Sequence, residues 1–260
     1  MFPPLVLRQM PGDCPASPWF DIHPVSTSQR LLMPEPRRLN LSVIEHLLMQ
    51  VQASFNLLSE GFIEPRDPFI DAVRRNMLAG YALVDDYVQR GIDLFSLQHV
   101  DLLLEINTTV LCGTSPERRA EYADHIAATR EYFFDNEENG GGIKDLLQWY
   151  GMHRNESVWK RAAGVYVRIL SKPQLFIEGN HRSGSLLVSY LLMREGLPPF
   201  VLTVDNAPGY FNPSTVMRKL PKRGVRALYQ VPKIKKKYAA FLEEQSSFVK
   251  RTLRNDRGGR

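Results

Sequence analysis

Apolar residues recur at helical spacing along most of the chain, which predicts a mostly α-helical protein. The first helix is predicted over 41–60, where Ser42 and Glu45 have the spacing of a capping box. Its apolar positions are Leu41, Ile44, Leu47, Leu48, Val51, Phe55 and Leu58. Further helices are predicted at about 71–90, 94–111, 116–134 and 143–153, and another is predicted to be capped by Asn155 and to reach about Leu170. The predicted content is therefore mostly helix, interrupted where glycine, proline or serine breaks the pattern.

A nearly uniform apolar segment begins at Ser185 and ends at Glu195. Its apolar residues are Leu186, Leu187, Val188, Tyr190, Leu191, Leu192 and Met193. A helix that is apolar on all sides is typical of the buried centre of a bundle. Gly196 and Pro198 predict where it ends. Beyond it, we predict a short strand at Phe200–Val204 and two final helices at about 214–230 and 232–253.

Composition supports a folded core and narrows the class of protein. Hydrophobic residues make up 43% of the chain and aromatic residues 10%, which is enough to build a core. The two cysteines, Cys14 and Cys112, define no disulfide framework and suit a reducing compartment. No apolar run approaches the roughly 18 residues of a membrane span, and prolines interrupt the start of the chain where a signal peptide needs an apolar segment. We expect a cytoplasmic protein, with delivery into another cell left open.

The chain divides into three segments by composition. Residues 1–67 combine a proline-rich arm with a helical extension, because dense prolines disfavour regular helix in the arm. A core domain is predicted at about 68–222, followed by a basic helical tail at 223–260. Basic tails can contact nucleic acid or simply remain solvated. Because no aromatic or recognition-helix features are interleaved with the basic residues, we expect no nucleic-acid partner.

Candidate chemistry concentrates at 174–185, which reads QLFIEGNHRSGS. Gly179 and Asn180 are residue types that enter positive φ cheaply, and such a turn can point several backbone N–H groups at one anion. A helix beginning at about Arg182 or Ser183 would add its unpaired N–H groups and the positive end of its dipole. The stretch therefore predicts a polyphosphate site on a loop before a helix.

Two charged side chains of this stretch fit the same chemistry. Arg182 offers planar donors for phosphate oxygens. Glu178 lies beside the turn, where Mg²⁺ could bridge a carboxylate and a phosphate. The alternative is a surface turn before a helix. Other phosphate and hydrolase motifs, GxxxxGK[ST] and GxSxG, are absent from the sequence.

The stretch resembles the signature loop of the Fic/Doc (Fido) family, HxFx(D/E)GN(G/K)RxxR. The matching positions are Phe176, Glu178, Gly179, Asn180 and Arg182. Gln174 stands where the family has its catalytic His, His181 takes the Gly/Lys position, and Ser185 stands where many members have a second Arg. The resemblance implies a Fic-like helical bundle with a small β-hairpin flap. By order and spacing the flap is expected at Asp135–Gly142, a segment that also fits a plain connection.

Active members of this family transfer a nucleotidyl group, usually AMP from ATP, to a protein hydroxyl. The resemblance implies that Glu178 holds Mg²⁺. It also implies that phosphate is bound by Gly179, Asn180, His181, Arg182, Ser183, Gly184 and Ser185. Gln174 cannot take the proton of the hydroxyl, and losing a general base usually removes about 10²–10⁴ in rate. His181 has a suitable pKa range, but its place in the turn suits a phosphate oxygen better than the attacking hydroxyl.

Two functional interpretations follow. In the first, the chain binds a nucleotide polyphosphate with Mg²⁺ and acts on a target protein, with usual adenylylation weak or lost. In the second, it is a non-catalytic Fic-fold protein that binds nucleotide or a partner protein without turnover. The family's inhibitory pattern (S/T)xxxE(G/N) has no clean match, because Asn56 occupies the Ser/Thr position before Glu60 and Gly61. We therefore expect no autoinhibition of the usual kind.

Overall fold

The computed structural model of this chain describes residues 38–135 and 142–255, with side chains up to residue 246. Within these ranges the regular structure is helical and no strand forms, which confirms the predicted mostly α-helical class. The helices are α1 (Leu41–Glu60), α2 (Asp71–Gln89), α3 (Val100–Cys112), α4 (Pro116–Glu121), α5 (Ala123–Phe134), α6 (Gly142–Met152), α7 (Val158–Leu170), α8 (Asn180–Arg194), α9 (Ala207–Met217) and α10 (Val225–Asn255). None of them, over the described residues, is both long and apolar enough to cross a bilayer.

Helix α8 lies at the centre of the bundle. It packs against α7, α2 and α3, and α10 packs on the side of α7. Every residue from Ser183 to Met193 is buried, as the uniformly apolar sequence predicts. Burial of so much apolar surface is the main favourable term in folding. The buried helix α8 therefore fixes the position of the loop that precedes it.

Helix α8 begins earlier than the sequence pattern indicates. Its first residue is Asn180, two or three positions before the predicted start. The predicted helix over 116–134 is likewise two helices, α4 and α5, which are divided at Tyr122. Because of the earlier start, His181 and Arg182 belong to the first turn of α8, which fixes the directions of their side chains.

The strand predicted at Phe200–Val204 is wrong, since this segment pairs with no other strand in the described part of the chain. The carbonyl oxygen of Phe200 instead accepts hydrogen bonds from the Tyr81 hydroxyl at 2.8 Å and the Ser189 hydroxyl at 2.8 Å. Side chains of α2 and α8 thus satisfy the main-chain oxygen that a neighbouring strand would otherwise bind. The segment is fixed to the bundle without forming a sheet.

The break between the last two helices also differs from the prediction. It falls at 218–224, and position 231, where the break was expected just before Pro232, lies inside α10. In the break, the main-chain N–H of Lys172 donates to the oxygen of Leu220 at 2.8 Å, and the N–H of Lys222 donates to the oxygen of Lys172 at 2.9 Å. These bonds to the loop after α7 replace helical bonds, which explains why α9 ends there.

Several predicted features fall outside the described residues. The flap expected at Asp135–Gly142 lies there except for its two ends, since α5 ends at Phe134 and α6 begins at Gly142. The proline-rich arm at 1–37 and the last residues of the tail lie there too. The division into segments 1–67, 68–222 and 223–260 stays a prediction.

A close contact between α6 and α7 gives a first testable prediction. A Cβ added at Gly164 would lie 1.9 Å from the Trp149 ring. Gly164→Ala is therefore expected to lower the free energy of unfolding by about 1–3 kcal/mol through overpacking. The matched control is Gly151→Ala in α6, where the described residues leave open space around the added methyl group. Urea unfolding should show the control unchanged or stabilised by up to about 1 kcal/mol, and equal effects of the two variants would contradict the packing.

Candidate functional site

The loop between α7 and α8 is shaped by Phe176 and Asn180. The Phe176 ring is buried and stacks on Phe133 of α5, with ring centroids 5.5 Å apart. The Asn180 side chain is buried as well, and its Oδ1 accepts from the Phe176 N–H at 2.9 Å while its Nδ2 donates to the Phe176 oxygen at 2.7 Å. The Asn180 amide is thereby committed to the main chain of the loop. The Asn180 side chain therefore shapes the turn, and the groups available to an anion belong to neighbouring residues.

Gly179 gives the loop its sharp turn into α8. Its φ of 75° lies in the left-handed region, which glycine adopts at little cost. A Cβ here would lie 2.8 Å from Asn107 Nδ2 of α3. That nitrogen donates to the Glu178 oxygen at 2.9 Å and to Ser183 Oγ at 3.0 Å, so Asn107 braces both sides of the turn. Asn107 was not predicted from the sequence, where its only signal is a lone amide in an apolar helix.

The first turn of α8 presents free main-chain N–H groups. Among the described residues no side chain caps this helix, and the first intrahelical bond joins the Ser183 N–H to the Gly179 oxygen at 2.9 Å. The N–H groups before Ser183 and the positive end of the helix dipole are therefore directed at whatever lies in front of the turn. This is the arrangement that binds phosphate at helix N-termini.

The later predicted phosphate-binding residues lie deeper in the bundle. Ser183 is fully buried and accepts from Asn107. Gly184 packs against the Tyr166 ring, which a Cβ would approach to 2.8 Å. Ser185 is buried and donates through Oγ to the Arg182 oxygen at 2.8 Å. Of these three, only Ser185 borders the cavity in front of the turn.

A cavity of about 530 Å³ opens in front of this turn. One wall is the loop, from which Gln174, His181 and Arg182 contribute side chains. Apolar side chains of α1 and α2, together with residues 65–69, form the opposite wall. The cavity thus combines an anion-binding end at α8 with an apolar side, the usual make-up of a small-molecule site.

Arg182 and Glu178 lie on the α3 side of the turn. Arg182 donates through Nη1 to the Val110 oxygen at 2.8 Å and through Nη2 to Glu178 Oε1 at 3.4 Å. Burial lowers the pKa of Arg182, while the Glu178 carboxylate acts in the opposite sense, and the group remains a cation. The Glu178 side chain is 60% exposed, so this long ion pair leaves it accessible to a further cation.

His181 faces the opposite side, towards α7 and α9. Its Nε2 lies 3.1 Å from Arg66 Nη1 and its Nδ1 lies 3.2 Å from the Tyr166 hydroxyl. Because arginine can only donate, Nε2 must accept, and the ring proton is on Nδ1. Burial, and then the neighbouring Arg66, Arg218 and Arg182, lower the pKa of His181 to about 3. His181 is therefore a neutral imidazole with both nitrogens engaged, which makes it a poor substitute for the family's catalytic base.

Gln174 lies between two cavities. Its Nε2 donates to the Leu170 oxygen at 3.3 Å, its Oε1 accepts from Asn180 at 3.4 Å, and its main-chain oxygen accepts from the Tyr132 hydroxyl at 3.0 Å. It borders the cavity at α8 and also a second cavity of about 520 Å³, which Tyr132, Lys172 and Lys219 help to line. A side chain at position 174 can therefore reach groups bound on either side.

Two further cations border the first cavity and were not foreseen from the sequence. Arg66 precedes α2 and Arg218 follows α9, so both are far from the loop in sequence. Arg66 Nη2 donates to the Phe211 oxygen at 3.1 Å, to Ser214 Oγ at 3.2 Å and to Thr215 Oγ1 at 2.6 Å. No local motif marks either arginine, because only tertiary packing brings them to the turn.

The residues present fit Mg²⁺ only in company with a phosphate ligand. In the described ranges no group of three or more His, Cys, Asp or Glu side chains could hold a metal ion. Glu178 is the accessible carboxylate at the turn. Proteins commonly bind Mg²⁺ through one or two carboxylates together with substrate phosphates, and Glu178 suits that arrangement.

Comparisons with models of protein families, with curated proteins and with solved structures found no match to this chain. The class of site is therefore defined by its own geometry. It consists of an uncapped helix start, arginines on two sides and two exposed carboxylates, Asp67 and Glu178, around a cavity with an apolar wall. Such a site suits an organic anion with several negative charges.

Proposed function

We propose that this chain binds a nucleotide polyphosphate in the cavity at the N-terminus of α8 and is related to the Fic/Doc protein AMP-transferases. One observation carries the proposal. The positions that match the family signature, 176–182, are the same positions that form the left-handed turn and the uncapped start of a buried helix in front of a cavity. A chance match would have no reason to coincide with an anion-binding turn.

In this proposal each part of the site has a separate task. The N–H groups of the first turn and Arg182 bind phosphate oxygens. Glu178 would hold a Mg²⁺ ion that accompanies the phosphates and neutralises part of their charge. The apolar side chains of α1 and α2 cover the base and the sugar and exclude water. We also propose that 68–222 form a Fic-like core whose flap is the segment around 135–142.

Adenylylation needs a proton acceptor that this site lacks. The target hydroxyl oxygen would bond to the α-phosphorus of ATP, the bond from that phosphorus to the bridging oxygen would break, and pyrophosphate would leave. The proton of the hydroxyl must pass to a base. Gln174 does not titrate near neutral pH, and His181 is held by Arg66 and Tyr166. We therefore propose that usual adenylylation is weak or lost while nucleotide binding is retained.

The second candidate function is a non-catalytic protein that binds nucleotide or a partner protein without turnover. The hydrogen bonds of Gln174 favour it, because the side-chain amide joins Leu170 and Asn180 and so stabilises the loop in a way that needs no chemistry. A pseudoenzyme of this kind would keep the binding site and use the bound state itself as its signal. Nucleotide binding is expected for both candidates, whereas transfer of AMP by a Gln174→His variant is expected only for the first.

The proposal predicts measurable binding. Isothermal titration calorimetry with Mg²⁺ and a non-hydrolysable ATP analogue is expected to show one site per chain. Arg182→Met should weaken binding about tenfold or more, because it removes a charge-assisted hydrogen bond to phosphate. The matched control is Arg75→Met, since the Arg75 side chain is 66% exposed and lies on the surface of α2. A correctly folded wild-type protein that gives no heat with the analogue would overturn the proposal.

A further inference from the structure

Arg66 is a half-buried cation that borders the cavity, and among the described residues neither of the neighbouring carboxylates, Glu64 and Asp67, forms an ion pair with it. Its partners are all neutral, namely the imidazole of His181, the Phe211 oxygen and the hydroxyls of Ser214 and Thr215. Within the part of the chain that is described, no carboxylate forms an ion pair with it, and its Nε is buried without a hydrogen-bond partner. The site therefore leaves this cation without a carboxylate in direct contact and its Nε without an acceptor.

Such a charge is costly in a protein interior. Taking a guanidinium out of water is unfavourable unless it is paired and its donors are satisfied. The usual solution is a nearby carboxylate, as in the pair of Arg168 and Asp145 elsewhere in this chain. Arg66 has no carboxylate in contact. Glu64 acts on it only at longer range, and Arg218, which borders the same cavity, acts in the opposite sense. An anion that enters the cavity would supply the missing partner.

The position of Arg66 indicates the shape of that anion. Arg66 reaches the turn from the α9 side, through His181 and Phe211, whereas Arg182 lies on the α3 side, against Val110. The free N–H groups belong to the same first turn of α8 as Arg182. A single phosphate bound by these N–H groups and Arg182 would leave Arg66 without an anionic partner. An extended anion, such as a chain of phosphates, can contact both sides.

We propose that Arg66, with Arg218 at the rim of the cavity, binds the outer phosphate of an extended polyphosphate whose inner phosphate lies at the N-terminus of α8 beside Arg182. This inference rests on the proposed function and adds to it a selectivity for the number of phosphates. The cavity distinguishes nucleoside triphosphates from monophosphates through a residue that precedes α2 and belongs to no part of the signature loop. Arg66 is thus a specificity-determining residue for phosphate number.

The test compares two ligands on the same variants. Calorimetry with Mg²⁺ measures the affinity for a non-hydrolysable ATP analogue and for AMP in wild type, Arg66→Met and the control Arg75→Met. Arg66→Met is expected to weaken the ATP analogue about tenfold or more and AMP by less than about threefold, because AMP has no outer phosphate. Arg75→Met should change neither affinity. Arg66→Lys keeps the charge without the planar fork, so its affinity for the ATP analogue should lie between those of wild type and Arg66→Met.

The outcomes separate this inference from the proposed function. If wild type binds the ATP analogue but Arg66→Met changes both ligands equally or neither, the role of Arg66 is overturned and nucleotide binding stands. If wild type binds no nucleotide, both fail. Arg66 also ties its segment to α9, so Arg66→Met could affect the fold as well as binding. Arg218→Met is therefore measured as a second variant. The Arg218 side chain is exposed and, within the described residues, has no hydrogen bond or ion pair. A smaller loss, again selective for the ATP analogue, is expected there, and unchanged selectivity in every variant that folds would reject the inference.

Discussion

Replacing Gln174 by His is expected to produce transfer of AMP from ATP to protein at a rate about 10²–10⁴ above that of the wild type. The reason is positional. Residue 174 borders both cavities, so a side chain there can take a proton from a hydroxyl bound in one cavity while the nucleotide lies in the other. An imidazole in that position titrates near neutral pH, which the amide of Gln174 does not. Incorporation of label from ATP into added protein targets or into the chain itself measures the gain.

Controls make the His result specific. Gln174→Ala removes the amide without adding a base and should show no gain. Combining Gln174→His with Arg182→Met should remove most of the gain, because the nucleotide would bind poorly. A Gln174→His protein that folds, binds the ATP analogue and still transfers no label would reject the view that only the base is missing. The non-catalytic interpretation would then be the better one.

Local patterns in the sequence were sufficient for the helices and for the residues of the loop. The continuous apolar run after Ser185 can only be buried, and α8 is indeed the central helix. The periodic apolar face of 41–60 gives α1 with the predicted bounds. Gly179 was assigned to a turn of positive φ because few other residues adopt that conformation, and the structure has it there. Each of these features depends on neighbours within one or two turns of the chain.

What the sequence could not provide is the direction of side chains that meet through tertiary packing. Asn180 was expected to bind phosphate, but a main-chain partner four residues earlier takes its amide. His181 was expected at the anion, and its two ring nitrogens are taken by Arg66 and Tyr166. Arg66 lies 115 positions before His181 in the sequence, so no local pattern connects them. The loss of the predicted strand has the same origin, because side chains of other helices bind Phe200.

The residues that lead into the loop 174–179 are held by a buried charge cluster of Asp145, Arg168 and Lys222. Asp145 of α6 accepts two hydrogen bonds from Arg168 of α7, from Nε at 2.8 Å and from Nη2 at 2.7 Å. Lys222 Nζ lies 3.9 Å from the same carboxylate, with its side chain 1% exposed and, among the described residues, no hydrogen-bond partner. Arg168 also donates to the Lys222 oxygen at 3.3 Å, and the Lys222 N–H donates to the oxygen of Lys172 at 2.9 Å. The cluster thereby fixes the residues that lead into 174–179.

Asp145→Asn is expected to lower the free energy of unfolding by about 3–5 kcal/mol, because it leaves two cations buried without a carboxylate. Lys222→Met should be neutral or stabilising at pH 7, since Arg168 alone satisfies Asp145, the methionine fills the same space and the buried lysine charge is unfavourable. Urea unfolding at pH 7 compares the two variants with wild type. Similar losses in both would contradict the assignment of Arg168 as the main partner of Asp145.

The pH dependence gives a second, independent check on Lys222. Burial, opposed by Asp145, lowers the pKa of Lys222 to about 8 in the folded state, whereas an unfolded lysine has a pKa of about 10.4. Between these values the unfolded chain binds more protons than the folded chain, so the contribution of this group to stability rises with pH. Wild type should therefore gain up to about 1.4 kcal/mol per pH unit relative to Lys222→Met between about pH 8 and 10. Parallel pH profiles of the two proteins would mean that the pKa of Lys222 is the same in the folded and unfolded states. Asp145 would then offset the whole cost of burying the Lys222 charge.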